Sequence, residues 1–255
     1  MRFRSGRSTP PAMPLLPAPP PALLEGAALF LDFDGTLIEL AETPDAIEVA
    51  PGLGPLLGRL RDRLKGRIAI ISGRSIADLE QHVPASDIAF SGSHGLELRL
   101  AGGDSRPVPA PPGLEAARDR VRSFAGDRDG LLVEEKPAGV ALHFRQAPHE
   151  ARRVSEFMEM LARQQSLVIQ RGNMVVELRP AGADKGDAVR AFMREDGFAG
   201  ARPVFVGDDL TDEHAFAAAA ALGGAGVLVG PERETAARYR LASVAAVAAW
   251  LEACA

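Results

Sequence analysis

The 255-residue chain carries a single cysteine, Cys254, so an intramolecular disulfide is excluded and the thiol count leaves the compartment open. Long apolar runs are also lacking: none approaches the roughly 20 residues that a membrane-spanning helix needs. Nor is charge of one sign in large excess. Against 34 Asp+Glu stand 29 Lys+Arg, a net charge of −5 that leaves no electrostatic footprint for nucleic acid or an anionic membrane. What is present is ordinary: 46% hydrophobic and 25% charged residues describe a soluble globular protein. The length suffices for a sizeable core, as one large domain or two modest ones.

Residues 1–24 stand apart. Seven of the 20 prolines fall in the first 21 positions, together with Arg2, Arg4 and Arg7. Proline at that density opposes helix and sheet ladders and favours an extended, solvated chain. Pro14, Pro17 and Pro19 interrupt any apolar core of a signal peptide. The expectation is a disordered leader on a cytoplasmic protein, with a partner-binding polyproline segment as the alternative.

The chain is organised around Ala28-Leu29-Phe30-Leu31-Asp32-Phe33-Asp34-Gly35-Thr36-Leu37. Ala28 to Leu31 reads as a strand buried on both faces, as in a parallel sheet. It stops at two carboxylates, i and i+2, followed by a glycine that lets the chain turn. Ligands of open α/β sheets sit beyond the carboxyl ends of the strands. Carboxylates that repel one another there suit Mg²⁺, and a carboxylate next to a phosphoryl group can attack it. An Asp pair that merely caps a turn is the alternative reading.

Further strands end in the same way. Leu53, Leu56, Leu57, Leu60 and Leu64 form one stripe of a helix over 51–65. Arg67–Ile71 is a second buried strand; it ends at Ser72-Gly73-Arg74, with Ser75 as N-cap of the next helix, so that free N–H groups would face an anion. Ile88–Phe90 runs into Ser91-Gly92-Ser93-His94-Gly95, whose glycines permit close ligand approach to His94. A hairpin is expected between Leu96–Leu100 and Arg106–Val108 around Gly102-Gly103-Asp104. Beyond a hinge at Pro109–Gly113 the pattern becomes helix (114–124), strand (131–135), strand (140–145), helix (150–165), strand (167–170) and strand (174–178). These predict an antiparallel sheet with helices on one face. The α/β pattern then resumes. Asp184 caps a helix, with Asp187 completing a capping box. Lys185 at that helix start is unfavourable for the dipole unless an anion lies near. Pro203–Val206 is a strand that ends in Gly207-Asp208-Asp209-Leu210-Thr211-Asp212-Glu213, an acid density that calls for a cation. Ala225–Val229 reads as the last strand and Ser243–Ala253 as the closing helix.

Asp-Phe-Asp-Gly-Thr after an apolar strand resembles the first motif of the haloacid dehalogenase (HAD) superfamily of phosphohydrolases. Ser72, Lys185 and Asp208 match the later motifs in order and type. The resemblance implies an α/β fold: a HAD-type Rossmann-like parallel-sheet core with an inserted α+β (αββαββ) cap domain. On that reading a leader (1–24) precedes core residues 25–112 and 182–255, and the cap is 113–181. It also implies chemistry. Asp32 would be the nucleophile and Asp34 the general acid/base. Ser72 would bond the transferring phosphoryl group, and Lys185 would clamp its charge. Mg²⁺ would be held by Asp32, the carbonyl of Asp34, and Asp208.

The cap strands are polar at their ends: Glu134 and Lys136 at i and i+2, His143 and Arg145 likewise, and Asn173, Glu177 and Arg179 on or beside the last strand. Such groups suit a polyhydroxylated ligand, and they equally suit an exposed sheet face with ordinary cross-strand pairs. Val133-Glu134-Glu135-Lys136, Ala141-Leu142-His143-Phe144-Arg145, the segment Gly172-Asn173 to Arg179-Pro180, and Gly92-Ser93-His94-Gly95 look like trehalose-6-phosphate phosphatases. The likeness covers about residues 27–250, and the Pro-rich leader departs from it. It implies hydrolysis of a small phosphosugar, with Glu134, Lys136, Arg145, Asn173 and Glu177 binding the sugar; Arg74 and His94 are counted with them. No tandem synthase domain is seen, so the chain is expected to act without an obligate protein partner. A phosphatase of sucrose phosphate or another phosphosugar, a phosphosugar mutase, and a non-catalytic sugar-phosphate-binding domain are the rival readings. Two crossings between core and cap, near 109–113 and 179–184, suggest a hinge that closes over substrate.

Overall fold

The computed structural model describes residues 15–41, 47–83, 87–103, 112–126, 128–136, 139–180 and 184–255. Residues 1–14 of the leader expected over 1–24, the strand expected at Arg106–Val108 with the hairpin it would close, and parts of both hinges lie outside the described residues. In chain order the strands are β1 (Ala27–Leu31), β2 (Ile68–Ile71), β3 (Ala89–Gly92), β4 (Glu97–Arg99), β5 (Leu132–Lys136), β6 (Gly139–His143), β7 (Val168–Gly172), β8 (Val175–Arg179), β9 (Arg202–Gly207), β10 (Ala225–Val229) and β11 (Tyr239–Leu241). The helices are α1 (Leu53–Arg63), α2 (Ile76–His82), α3 (Leu114–Gly126), α4 (Ala151–Gln165), α5 (Lys185–Phe192), α6 (Glu213–Ala221) and α7 (Val244–Cys254).

All five residues of β1 are buried, and the strand lies at the centre of a seven-stranded sheet ordered β11-β10-β9-β1-β2-β3-β4. Its side chains alternate between two apolar layers, as the period of a strand requires. Ala27, Leu29 and Leu31 join Leu57, Leu60, Leu79 and Trp250 from α1, α2 and α7. Ala28 and Phe30 face Val189, Phe192 and Phe216 from α5 and α6. This two-sided burial explains why the sequence reads as an unbroken apolar run. Every pairing in the sheet is parallel except β3 with β4, where the chain folds back through a tight 3-10 turn at Ser93–Gly95. Leu31 lies opposite Ile70 on one side and Val206 on the other, so β1, β2 and β9 end level with one another.

The second sheet is antiparallel, ordered β5-β6-β8-β7. Val140, Leu142, Val176 and Leu178 pack against Leu114, Val121, Met158 and Leu161 of α3 and α4. The opposite face keeps the polar side chains. Among the described residues no helix is long and apolar enough to cross a membrane.

Two expectations are corrected. Ala225–Val229 is not the last strand, because β11 adds a parallel partner at the edge. Residues 15–24 are not disordered: Pro21–Leu24 is a 3-10 helix with Leu24 buried in the core, and Pro17 O accepts the Arg240 N–H at 3.0 Å. Leu16, Leu23 and Leu24 supply apolar area to bury. The prolines keep the chain extended, which leaves its carbonyls free to accept.

Candidate active site

The level strand ends bring the acidic and hydroxyl residues together. Asp32 continues β1, its N–H donating to Val206 O at 2.9 Å, and its carboxylate is almost fully buried. Lys185 projects from the first turn of α5, which Asp184 and Asp187 cap reciprocally as the sequence predicts. Its ammonium lies 2.8 Å from Asp32 Oδ1 and 2.6 Å from Asp212 Oδ1. These carboxylates are the anion that offsets a lysine at a helix N-terminus. Thr36 Oγ1 donates to Asp208 Oδ1 at 3.1 Å. Gly35 brings the turn this close: it sits at φ +76°, and a Cβ there would collide with the Asp208 carboxyl group.

Asp32, Asp208 and Asp212 can each offer an oxygen within 4.8 Å of the others. Three carboxylates against one ammonium leave an excess of negative charge in a buried place. Burial, reinforced by Asp212 and Asp208, raises the Asp32 pKa well above the usual carboxylate range although Lys185 opposes the shift. Burial and Asp212 push Asp208 up to about 6. Burial works against the Lys185 charge, but Asp212 and Asp32 outweigh it and hold the ammonium form. An oxygen-rich donor set under this strain fits a hard divalent cation.

Asp34 belongs to the same turn, yet its carboxylate is not one of the three that cluster. The Arg74 guanidinium grips it with two bonds, at 2.7 and 2.8 Å, and holds Asp78 with a third at 2.8 Å. If Asp34 contributes to a cation, its main-chain carbonyl is the atom for the task. At the start of α2, where the sequence suggests an anion site, three N–H groups already have acceptors within the protein. Arg74 N–H donates to Ser72 Oγ, Ile76 N–H to Glu97 and Asp78 N–H to the capping Ser75 Oγ. The Ser72 side chain lies at the strand end and lines the cavity described below.

A cavity of about 450 Å³ lies between the two sheets, and all twelve residues to which the sequence resemblance gives a catalytic, metal or substrate role line it. From the second sheet, Lys136 Nζ pairs with Glu177 at 2.7 Å and reaches Gly73 O at 3.3 Å. His143 Nε2 lies 2.8 Å from Glu134 Oε2. Burial opposes the charge of Lys136, but Glu177 and Glu134 outweigh it and raise its pKa. Burial likewise opposes the charge of Glu134, and His143 with Lys136 brings its pKa down. Arg145 donates to Ala41 O at 2.8 Å across the mouth, and Asn173 is exposed at the rim. His94 faces Gln170 of β7, with Nε2 atoms 2.6 Å apart. Burial, then Lys136, Lys185 and Arg179, drives its pKa well below the usual imidazole value, so the ring is neutral at pH 7.

Sequence reasoning passed over Asp78 and Gln170, and it named Thr36 and Asp212 only as members of their motifs, without a role of their own. Asp212 is wholly buried, and its Oδ2 accepts the Asp209 N–H at 2.9 Å. The signal for it lay in the acidic run itself: a 3-10 turn at Leu210–Asp212 folds the fifth residue of that run back beside the first.

The trehalose-phosphatase family model matches residues 30–245. A probable trehalose-phosphate phosphatase of Sinorhizobium fredii is 39% identical over 210 residues, covering 82% of this chain and 79% of that one. The trehalose-6-phosphate phosphatase of Escherichia coli is 38% identical over 242 residues, 91% and 88% of the two chains. Among solved structures, a trehalose-6-phosphate phosphatase related protein superposes with a TM-score of 0.74 at 27% identity, over 88% of this chain and 95% of that one. A haloacid dehalogenase-like hydrolase of Bacteroides thetaiotaomicron shares the fold, with a TM-score of 0.67 at 17% identity over 89% and 98% of the two chains. Strand-end acids, a buried lysine between them and a polar second sheet across one cavity thus accompany a match over most of the length, and the chain belongs to the trehalose-phosphatase family.

Proposed function

We propose that this protein hydrolyses trehalose 6-phosphate to trehalose and phosphate, with Mg²⁺ as its cation, in the cytoplasm and without an obligate protein partner. The observation that carries the reading is the shared cavity, lined by Asp32, Ser72, Lys185 and Asp208 on one side and by Glu134, Lys136 and Glu177 of the second sheet on the other. In this reading residues 25–112 and 182–255 form the core, 113–181 form the cap, and the two crossings between them act as the hinge.

Asp32 attacks phosphorus and becomes an aspartyl phosphate. Lys185, already 2.8 Å from Asp32, holds that carboxylate in place and balances the phosphoryl charge. Ser72 bonds a phosphoryl oxygen. Asp34 protonates the departing sugar oxygen and then takes a proton from water to release phosphate. Asp32, Asp208 and the Asp34 carbonyl would hold Mg²⁺, with Asp212 completing the acidic set; when bound, the ion neutralises charge on the equatorial phosphoryl oxygens. Glu134, Lys136, Arg145, Asn173 and Glu177 bind the sugar hydroxyls, with Arg74 and His94 at the junction between phosphate and sugar.

Phosphate release across a panel of phosphosugars, with Mg²⁺ and with EDTA, tests the reading. Trehalose 6-phosphate should be the preferred substrate, hydrolysis should require the cation, and Asp32→Asn should abolish turnover while leaving the fold intact. Isomerised phosphosugar without free phosphate would establish a mutase instead, and turnover by Asp32→Asn would remove the covalent step.

A further inference from the structure

We propose that Glu97 is a positioning residue for the sugar half of the site: it holds the Ser93–His94 turn so that His94 meets the second sheet. The proposal rests on the reading above, in which His94 belongs to the substrate pocket. Glu97 opens β4 and is buried. A buried carboxylate is retained at a cost unless donors surround it, and the donors here come from two different site loops. Ser93 Oγ donates to one carboxylate oxygen, and the Ile76 N–H at the start of α2 donates to the other at 3.3 Å. The Glu97 carbonyl accepts from Ser91 Oγ at 2.8 Å.

The turn needs such a hold. Ser93 and His94 both lie in the left-handed region, at φ +49° and +56°. Each non-glycine residue there costs on the order of 1 kcal/mol, which persists only where the surroundings impose it. The surroundings are the other site loops. Ser93 N–H donates to Arg74 O at 2.7 Å and His94 N–H to Ser72 O at 2.9 Å. Gly95, at φ +99°, lies so close to the start of α5 that a Cβ would come within 2.6 Å of Asp184 O. The turn is thus wedged between the Ser72 loop and the helix that carries Lys185, and its one long side chain crosses to Gln170. Glu97 ties the Ser93 side chain to the α2 end of that wedge. Without it, the backbone strain can relax and His94 can leave its contact with the second sheet, while the acids around Lys185 are held by bonds of their own.

The test compares kcat/KM for trehalose 6-phosphate with kcat/KM for p-nitrophenyl phosphate, which carries a phosphoryl group and no sugar. Glu97→Gln removes the carboxylate charge and replaces one acceptor with an amide that the Ser93 hydroxyl can meet only by reversing from donor to acceptor. The ratio of the two kcat/KM values should fall about tenfold, through KM for the phosphosugar. Ser93→Ala removes the same hydrogen bond from the other side, with less risk to folding, and should lower the ratio similarly. In the double variant the two losses should not add, because they break one interaction. An unchanged ratio in Ser93→Ala, or an equal loss on both substrates in Glu97→Gln, overturns the proposal in favour of a purely structural role. If the wild-type protein hydrolyses p-nitrophenyl phosphate but not trehalose 6-phosphate, the functional reading has failed, and that result is distinct from either outcome in the variants.

Discussion

Replacing Asp208 with asparagine should remove activity and yet stabilise the metal-free protein. Burial and Asp212 carry the Asp208 pKa from 3.8 to about 6. The sign follows from which state holds the proton more tightly. Below about pH 4 the carboxyl group is protonated in both states and contributes nothing. As pH rises, the unfolded chain gives up its proton first, so a penalty on the folded state grows until the pH passes about 6 and is constant above it. A shift of about two units corresponds to at most about 3 kcal/mol. The site is partly open to solvent, so about 1–2 kcal/mol is the expected gain. The amide introduced by Asp208→Asn keeps an oxygen for the Thr36 hydroxyl, so the substitution removes charge without orphaning a donor. Thermal unfolding in EDTA at pH 8 should show Tm raised by several degrees, since about 1 kcal/mol is worth about 2–4 °C at this size. The gain should fade towards pH 4. Added Mg²⁺ should raise Tm of the wild type and not of Asp208→Asn, because only the former keeps the full donor set. A lower Tm for Asp208→Asn in EDTA at pH 8, or a gain independent of pH, would refute the electrostatic account of this site.

Two further outcomes follow from packing and pairing. Lys136→Met leaves Glu177 buried without its cation, and breaking such a pair costs about 3–5 kcal/mol. Calorimetry should show the loss, and Lys136→Met/Glu177→Leu should recover part of it; a neutral single variant would mean that the pair is not desolvated. Leu24→Ala should cost about 2–4 kcal/mol, because Leu24 is only 1% exposed within the core cluster. Urea unfolding measures it, and a cost below about 1 kcal/mol would show that the segment before β1 is loosely held.

Legibility tracked the physical origin of each feature. Strands β1, β2 and β9 are buried on both faces, so their sequences are apolar almost throughout and their ends stand out as abrupt polar turns. The helix caps at Ser75 and Asp184 obeyed local rules and were readable for that reason. Strand β11 has three residues, Tyr-Arg-Leu, too few for a period to show. Composition misled at residues 15–24, where proline density suggested solvated chain while Leu24 joins the core and Leu16 and Leu23 pack against it. Within the site, Asp208 was legible because it ends a strand. Asp212 was hidden because its place beside Lys185 depends on a 3-10 turn and on the distant α5. Glu97 was hidden for a related reason: β4 pairs back onto β3, and only that reversal aims its carboxylate at Ser93 and Ile76.

The same reasoning separates the two halves of the cavity by the state of their charges. Around Lys185 the acids outnumber the cations, so that region is under strain until a cation arrives, and its residues are recognisable in sequence as an unlikely density of carboxylates. On the second sheet each charge already has a partner, Lys136 with Glu177 and Glu134 with His143. On the proposed function, a sugar entering there would exchange hydrogen bonds with groups that were satisfied, and would gain little net energy from each. Its contribution is discrimination: a ligand that displaces a partner without replacing it leaves a buried charge unpaired, at a cost far above the value of the bond it forms. Affinity is therefore expected to reside mainly in the phosphoryl end, and selectivity in the sheet above it. On that reading, the proposed phosphate-handling residues are legible in four short motifs because each ends a strand or opens a helix, whereas the proposed sugar-binding residues have meaning only once β5, β6 and β8 are set side by side.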